Sequence, residues 1–405
     1  MSSVVISGYY GFGNLGDEAV LAGMVSTFQE LAPQVVLAVL SAAPQETETL
    51  HAVNAVPRSD LFAVLRAIRR CDLFISGGGG LLQDRTSQRS LLYYLGLLYV
   101  AQRCGCKTMV MGQGVGPLLR ASSRWLAGRA LSRTNAITVR DEQSALLLRQ
   151  IAPKAPPAEV TADLAFAMPV PRRAPGAARA DVAQGFDPAL ADLKVCATRK
   201  TAEQRGERVI GVSLRPWAGQ ERWLPEVSSA VNVLREEGFK PLFIPFHSPE
   251  DRGLCRCLAY QGAASMSDDV GADTSSGLSG GVPSPPSLDK LVEAADNLTT
   301  PQQVLGIIGE TGLLLGMRLH SLVFGAMVGV PCVALAYDPK VEALAEVAGM
   351  PCLRLEAIRA EEIVAEVRTL WHRRKEEGQR LLAWAEQNRR KARRNAEVAL
   401  GLLSG

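Results

Sequence analysis

The 405-residue chain has no apolar run long enough to cross a bilayer. Its nearest candidate, residues 91–101, is too short and is closed by Gln102 and Arg103. Charge of one sign is lacking too: 44 basic against 41 acidic residues leave +3, too little to indicate a nucleic-acid partner. The start, Met1-Ser2-Ser3-Val4-Val5-Ile6, has no basic region, apolar core or cleavage site, so a cytoplasmic protein is expected. Zinc-type spacing is missing as well. Cys104-Gly105-Cys106 and Cys255-Arg256-Cys257 lack the two-residue gap, and no histidine cluster accompanies them. The eight cysteines therefore read as reduced thiols, and no metal is expected. One further absence concerns cofactors. Gly11-Phe12-Gly13-Asn14-Leu15-Gly16 matches G-x-G-x-x-G, but no acidic residue closes the next strand, so the ribose partner of a dinucleotide fold is missing.

What is present is an ordinary globular composition, 47% hydrophobic and 21% charged, on a chain long enough for two domains. Short apolar runs ending in glycine-rich or polar turns alternate with stretches of helical periodicity. That grammar implies two doubly wound, Rossmann-like α/β domains. The expected boundaries are residues 1–168, a linker or insertion at 169–206, a second domain at 207–358, and a basic helical tail at 359–405. A second Gly-, Ser- and Pro-rich insertion falls at 273–286. The tail reads as a solvated helical face or as a basic helix drawn to an anionic membrane surface.

The informative residues fall at the carboxyl ends of the strands, where open α/β sheets bind ligands. In the first domain these are the stretch from Gly8 to Glu18, the run Gly77-Gly78-Gly79-Gly80, Gly112-Gln113-Gly114 and Val139-Arg140-Asp141. Four consecutive glycines mean either tight packing or a backbone nest for an anion or sugar. Asp17 and Glu18 either cap a helix or serve a sugar hydroxyl. In the second domain Arg215 follows one strand, Arg318 and His320 another, and Lys340 a third. A helix over 321–329, capped by Ser321, is expected. Alone, Arg318 and His320 read as a paired cation and a core histidine. Arg140, Arg215, Arg318 and Lys340 brought to one crevice would instead require a ligand with two anionic groups.

The motifs just quoted, together with Arg318-Leu319-His320 and Tyr337-Asp338-Pro339-Lys340, resemble the polysaccharide pyruvyl transferase family, in particular its cell-surface-anchoring bacterial branch. The resemblance covers the chain apart from the insertions and the tail. It implies a fold like that of two-domain GT-B glycosyltransferases, with phosphoenolpyruvate as co-substrate and no cofactor. It also implies a lipid-linked cell-wall saccharide acceptor containing N-acetylmannosamine, on which a pyruvate ketal is formed at the inner face of the membrane. On this basis His320, Arg318 and Lys340 are the expected catalytic residues. Arg140, Arg215, Arg318 and Lys340 would bind the donor, and Asn14, Asp17, Gly78, Gly79 and Gln113 the acceptor. Two other readings stay open: a nucleotide-sugar glycosyltransferase of the same architecture, and a non-catalytic binder of sugars or lipid head groups.

Overall fold

Runs rich in Val, Ile and Leu, each followed by an amphipathic stretch, build two parallel sheets in the computed structural model, which describes residues 2–85, 87–170, 207–247, 250–264 and 298–404. The chain divides into two units, Met1–Pro169 with Ala385–Gly405, and Val170–Trp384. Apart from Pro169 and Val170, both insertions expected from the sequence lie outside the described residues.

In the first unit the strands are β1 (Ser3–Tyr10), β2 (Val36–Ser41), β3 (Asn54–Pro57), β4 (Leu73–Ser76), β5 (Gly79–Leu82), β6 (Lys107–Val115), β7 (Ala136–Val139) and β8 (Glu159–Val160). They run parallel in the order β3-β2-β1-β4-β6-β7-β8, with β5 paired to β6. The crossovers are α1 (Leu15–Leu31), α2 (Pro44–His51), α3 (Leu61–Arg70), α4 (Gln88–Arg103), α5 (Ala121–Leu131) and α6 (Glu142–Ile151). The chain leaves β1 in one direction toward β2 and returns to its other side at β4. This reversal is the topological switch point, where the carboxyl strand ends open a crevice.

The second unit repeats the plan with β9 (Arg208–Ser213), β10 (Phe239–Phe243), β11 (Leu313–Gly316), β12 (Cys332–Ala336) and β13 (Cys352–Arg354), ordered β10-β9-β11-β12-β13. Its helices are α7 (Gln220–Glu236), α8 (Glu250–Ala264), α9 (Pro301–Ile308), α10 (Leu319–Val328), α11 (Pro339–Ala348), α12 (Ala360–His372) and α13 (Arg374–Ser404), which continues into the first unit. The switch point lies between β9 and β11. All four residues of β11 are buried, as a strand covered on both faces requires. Helix α10 is buried almost throughout, so its apolar run has no amphipathic stripe. Leu314, Leu322, Val323 and Phe324 are each fully enclosed. Each such side chain contributes about 1.5–3 kcal/mol by leaving water.

Two local expectations change. The helix after β11 begins at Leu319, not at residue 321. Its N-cap is Arg318, without a side-chain cap, and the Ser321 hydroxyl donates back to the Arg318 carbonyl at 2.6 Å. The tail is also not one free basic helix. From Ala385 onward it belongs to the first unit, where Arg393 pairs with Glu30 and Arg394 with Glu159. Asn395 is fully buried there; its Oδ1 accepts from the Thr138 hydroxyl at 2.5 Å and the Thr161 hydroxyl at 3.0 Å. Asn395→Ala would remove the acceptor of the buried Thr138 hydroxyl, while Thr161 keeps the Val139 carbonyl at 3.1 Å, a loss of about 1–3 kcal/mol. The expected outcome is faster amide hydrogen exchange over residues 385–404; unchanged protection would mean the pin is unimportant.

Candidate active site

In the second unit the site starts from a buried carboxylate. Asp251, in the first turn of α8, is 0% exposed. Its Oδ2 accepts from the backbone amides of Phe246 and His247 at 3.0 and 2.9 Å, just past the end of β10. Arg318, at the exit of β11, closes on it as a fork, with Nε to Oδ2 at 2.6 Å and Nη2 to Oδ1 at 2.5 Å. Planar bidentate pairing of this kind fixes orientation as well as charge. Glu250 joins from its exposed side, with Oε2 at 3.0 Å from His247 Nδ1 and 3.8 Å from Arg318 Nη2. Partial burial pushes the Glu250 carboxyl up, but His247, Arg318 and Arg215 outweigh it and hold the group below its ordinary value. The ionised form therefore adds stability above the ordinary carboxylate range and loses it as pH falls through the lowered value.

Arg215 lies on the other side of the switch point, beyond β9. Its guanidinium sits 5.2 Å from the ring centres of both Trp217 and Tyr337, and Nη1 donates to the Tyr337 hydroxyl at 3.2 Å. Among the described residues no carboxylate pairs with it, and its buried Nε and the buried Ser213 hydroxyl find no hydrogen-bond partner. Buried polar groups are rarely left so, and two at one switch point mark a place for a ligand. His320 is half-buried in the first turn of α10. Lys340 is exposed in the first turn of α11, whose N-cap Asp338 accepts from the Lys340 amide at 3.1 Å.

In the first unit the glycine-rich loop leads into α1. Asn14 is its N-cap, accepting from the Gly16 amide at 3.1 Å. Glu18, rather than capping, is buried and tied to His51 Nε2 at 2.8 Å and to the Gly11 amide at 2.8 Å. Asp17 is half-buried and faces Gly79, where a Cβ would stand 2.8 Å from its Oδ1. Gly79 also has φ of 79°, so only glycine suits this approach. Gly78 packs against Val20. Gln113 is fully buried and donates through Nε2 to the Ser76 and Gly77 carbonyls and the Ser76 hydroxyl, so it holds the glycine run in place. Arg140 is committed inside this unit: Nη1 meets Asp163 at 2.9 Å and Nε meets Asp141 at 3.4 Å. Burial lowers its proton affinity, and the two carboxylates more than restore it. The guanidinium lies so close to Gly114 that a Cβ there would come within 2.6 Å of Nη2.

Thus Asn14, Asp17, Gly78, Gly79 and Gln113 share the carboxyl edge of the first sheet. Arg215, Arg318, His320 and Lys340 share that of the second, and Arg140 is built into the first unit. Sequence reasoning passed over His247, Glu250 and Asp251. A signal was available, since a histidine and an aspartate four apart follow the end of β10, the strand next to β9. Removing Asp251 would strand the buried Arg318 cation. Asp251→Ala is expected to cost about 3–5 kcal/mol, read as a fall in the urea midpoint of the second unit. A midpoint shift under a tenth of that would show that the pair does not organise this edge.

Similarity to solved structures bears on the fold. A protein from Anabaena crystallised with UDP-glucose superposes with a TM-score of 0.57 at 11% identity, over 100% of both chains. The UDP-GlcNAc 2-epimerase of Neisseria meningitidis, bound to UDP-GlcNAc, gives 0.57 at 12% identity, again over 100% of both chains. A transferase from Siraitia grosvenorii in complex with UDP gives 0.53 at 12% identity, over 96% of this chain and 95% of that one. At such identities the likeness establishes a GT-B-type fold and nothing more. No curated protein matches the chain. The model of polysaccharide pyruvyl transferases matches residues 14–339, from the cap of α1 to the residue before Lys340. Taken with the two edges described above, that match makes the chain a transferase enzyme belonging to the polysaccharide pyruvyl transferase family.

Proposed function

We propose that the enzyme moves a pyruvyl group from phosphoenolpyruvate to a sugar of a lipid-linked cell-wall polysaccharide precursor, as in the cell-surface-anchoring branch. The favoured acceptor sugar is N-acetylmannosamine. The observation that carries the donor assignment is the second unit's switch point, where Arg215 has no described carboxylate beside a clamped Arg318. A donor with a carboxylate and a phosphate on one enol carbon suits a guanidinium whose buried Nε has no hydrogen-bond partner among the described residues. Lys340, exposed at the start of α11, is assigned to the leaving phosphate. Arg140 ranks behind these as a donor ligand because two carboxylates already take its charge.

The chemistry needs one proton and two hydroxyls. His320 gives its proton to the methylene carbon, which becomes a methyl group. The carbon bearing carboxylate and phosphate then takes the oxygen of one sugar hydroxyl. Its bond to the phosphate oxygen breaks as a second hydroxyl of the same sugar closes the ketal. One hydroxyl proton restores the acid and the other leaves with phosphate, so atoms and charge balance. The acceptor is assigned to the first unit's edge, with Asn14 and the Gly78–Gly79 backbone lining it and Asp17 orienting or deprotonating a hydroxyl. Gln113 supports this edge by holding the glycine run. The tail contributes a peripheral contact with the inner membrane face through cations such as Arg389 and Lys391, which no described carboxylate pairs. Among the described residues no helix is long and apolar enough to cross a membrane.

Structural neighbours bound to UDP or UDP-sugars favour one other reading, a nucleotide-sugar glycosyltransferase. Family membership sets aside the non-catalytic one. The deciding experiment incubates the enzyme with phosphoenolpyruvate and a synthetic lipid-diphosphate aminosugar. Inorganic phosphate together with a pyruvyl mass increment is expected; release of nucleoside diphosphate from a nucleotide sugar, with no phosphate from phosphoenolpyruvate, would favour the rival. Positioned proton transfer supplies about 10²–10⁴-fold, roughly 3–5 kcal/mol of barrier. His320→Ala should therefore lower kcat for phosphate release at least about a hundredfold. Near-normal turnover would remove His320 from the role of acid.

A further inference from the structure

At the sheet edges Arg140 and Arg318 are matched by carboxylates. Arg58 has no carboxylate partner among the described residues. It follows β3 directly, its amide donates to the Ser41 carbonyl at 2.9 Å, and it therefore stands at the carboxyl edge of the first sheet. Aromatic rings from two other elements surround its guanidinium. Phe12 of the glycine-rich loop lies 4.8 Å away, and Tyr93 and Tyr94 of α4 lie at 4.4 and 5.9 Å. Tyr9 stacks on Phe12 at 4.2 Å, and the Tyr94 hydroxyl donates to the Gly8 carbonyl at 3.2 Å, which ties α4 to the loop. Burial, only partly offset by Arg58, pushes the Tyr94 phenol up to about 12, so it stays neutral and cannot serve as counter-ion.

Two polar atoms in this frame are buried and without a hydrogen-bond partner among the described residues: Arg58 Nη1 and the Tyr93 hydroxyl. Ring faces lower the cost of holding a cation but take no hydrogen bond through its N–H edge; part of that edge meets the Tyr94 hydroxyl, and Nη1 is left over. Arg58 as a residue is only half-buried and Phe12 beside it is 36% exposed, so the rim of the cluster meets solvent while Nη1 and the Tyr93 hydroxyl lie beneath it.

We infer that Arg58, with Tyr93, is a phosphate-reading subsite of the first unit that takes the diphosphate of a saccharide diphosphate, the exposed aromatic ring of Phe12 flanking the adjoining sugar. A planar guanidinium with its faces against rings presents its N–H edge, and phosphate oxygens fit that edge bidentately. The assignment rests on the placing of the acceptor at this edge. The diphosphate can come from a lipid-linked saccharide or from a nucleotide sugar, and the chemistry read by Arg58 is common to both.

The test separates this subsite from the reaction itself. Inorganic diphosphate is titrated calorimetrically into the protein and into Arg58→Met, Arg58→Lys and, as a control, Arg149→Met, an exposed arginine of α6, with folding checked by circular dichroism. Arg58→Met should weaken binding at least about tenfold while Arg149→Met leaves it unchanged, because a lost bidentate charged pair is worth at least that factor. Equal binding by Arg58→Met and the unmodified protein, or an equal loss in Arg149→Met, overturns the proposal. Should Arg58→Met fail to fold, Arg58→Lys carries the test. It keeps the charge without the fork and should bind at least about threefold more weakly, whereas unaltered affinity overturns the subsite. None of these outcomes depends on turnover of phosphoenolpyruvate, so failure of the pyruvyl-transfer reading leaves the binding result intact. Competition then names the source: displacement of diphosphate by a lipid-diphosphate saccharide supports the acceptor assignment. Displacement by a nucleoside-diphosphate sugar alone keeps Arg58 as phosphate reader but overturns its place in acceptor binding.

Discussion

A carboxylate with no exposure to water sets the geometry at the carboxyl edge of the second unit's sheet. Asp251 takes four donors, two backbone amides at the end of β10 and two guanidinium nitrogens from the end of β11. Desolvating such a pair is expensive, and neither partner is tolerable there without the other. The consequence is geometric: the exits of two strands and the start of α8 are held in one arrangement before any ligand arrives. Catalysis that works through pre-set charges benefits from that rigidity, since nothing need reorganise when charge develops. The first unit uses the same device, joining α1, α2 and the glycine-rich loop through Glu18, His51 and the Gly11 amide.

Pairing of this kind sorts the cations by what remains for a ligand. Arg140 and Arg318 are oriented and largely neutralised. Arg215, Lys340 and Arg58 sit at strand or helix ends with no carboxylate partner among the described residues. Arg215 stands beside the second sheet's switch point, whereas Arg58 follows an edge strand and Lys340 follows β12. Glu250 belongs to both groups. It is exposed, yet faces His247, Arg318 and Arg215, so its carboxylate offsets part of the positive charge at this edge.

Much of the architecture was readable without coordinates. Near-continuous apolar strands such as Leu313–Gly316 announce a sheet covered on both faces, and alternating strand and helix periods announce parallel order. Placing Asp17, the glycine run, Arg215, Arg318 and Lys340 at carboxyl strand ends followed from the same rule and agrees with the topology. Local competition between caps was less legible. Ser321 looked like an N-cap, but Arg318 takes that position and the hydroxyl turns back to its carbonyl. The tail's arginines are largely exposed, as a solvated helical face requires, but which carboxylates they meet (Glu30, Glu159 and Glu377) was not readable from the sequence.

The sequence by itself determined the fold class, the order of strand and helix, and the family, because periodicity and turn composition are local properties. Tertiary structure alone decided which cation meets which carboxylate. Arg318 and Asp251 lie 67 residues apart, and Thr138 and Asn395 lie 257 apart. No local rule assigns such partners: they are chosen by which side chains the parallel sheets bring to the same buried edge, where an unmatched charge costs more than any propensity can recover.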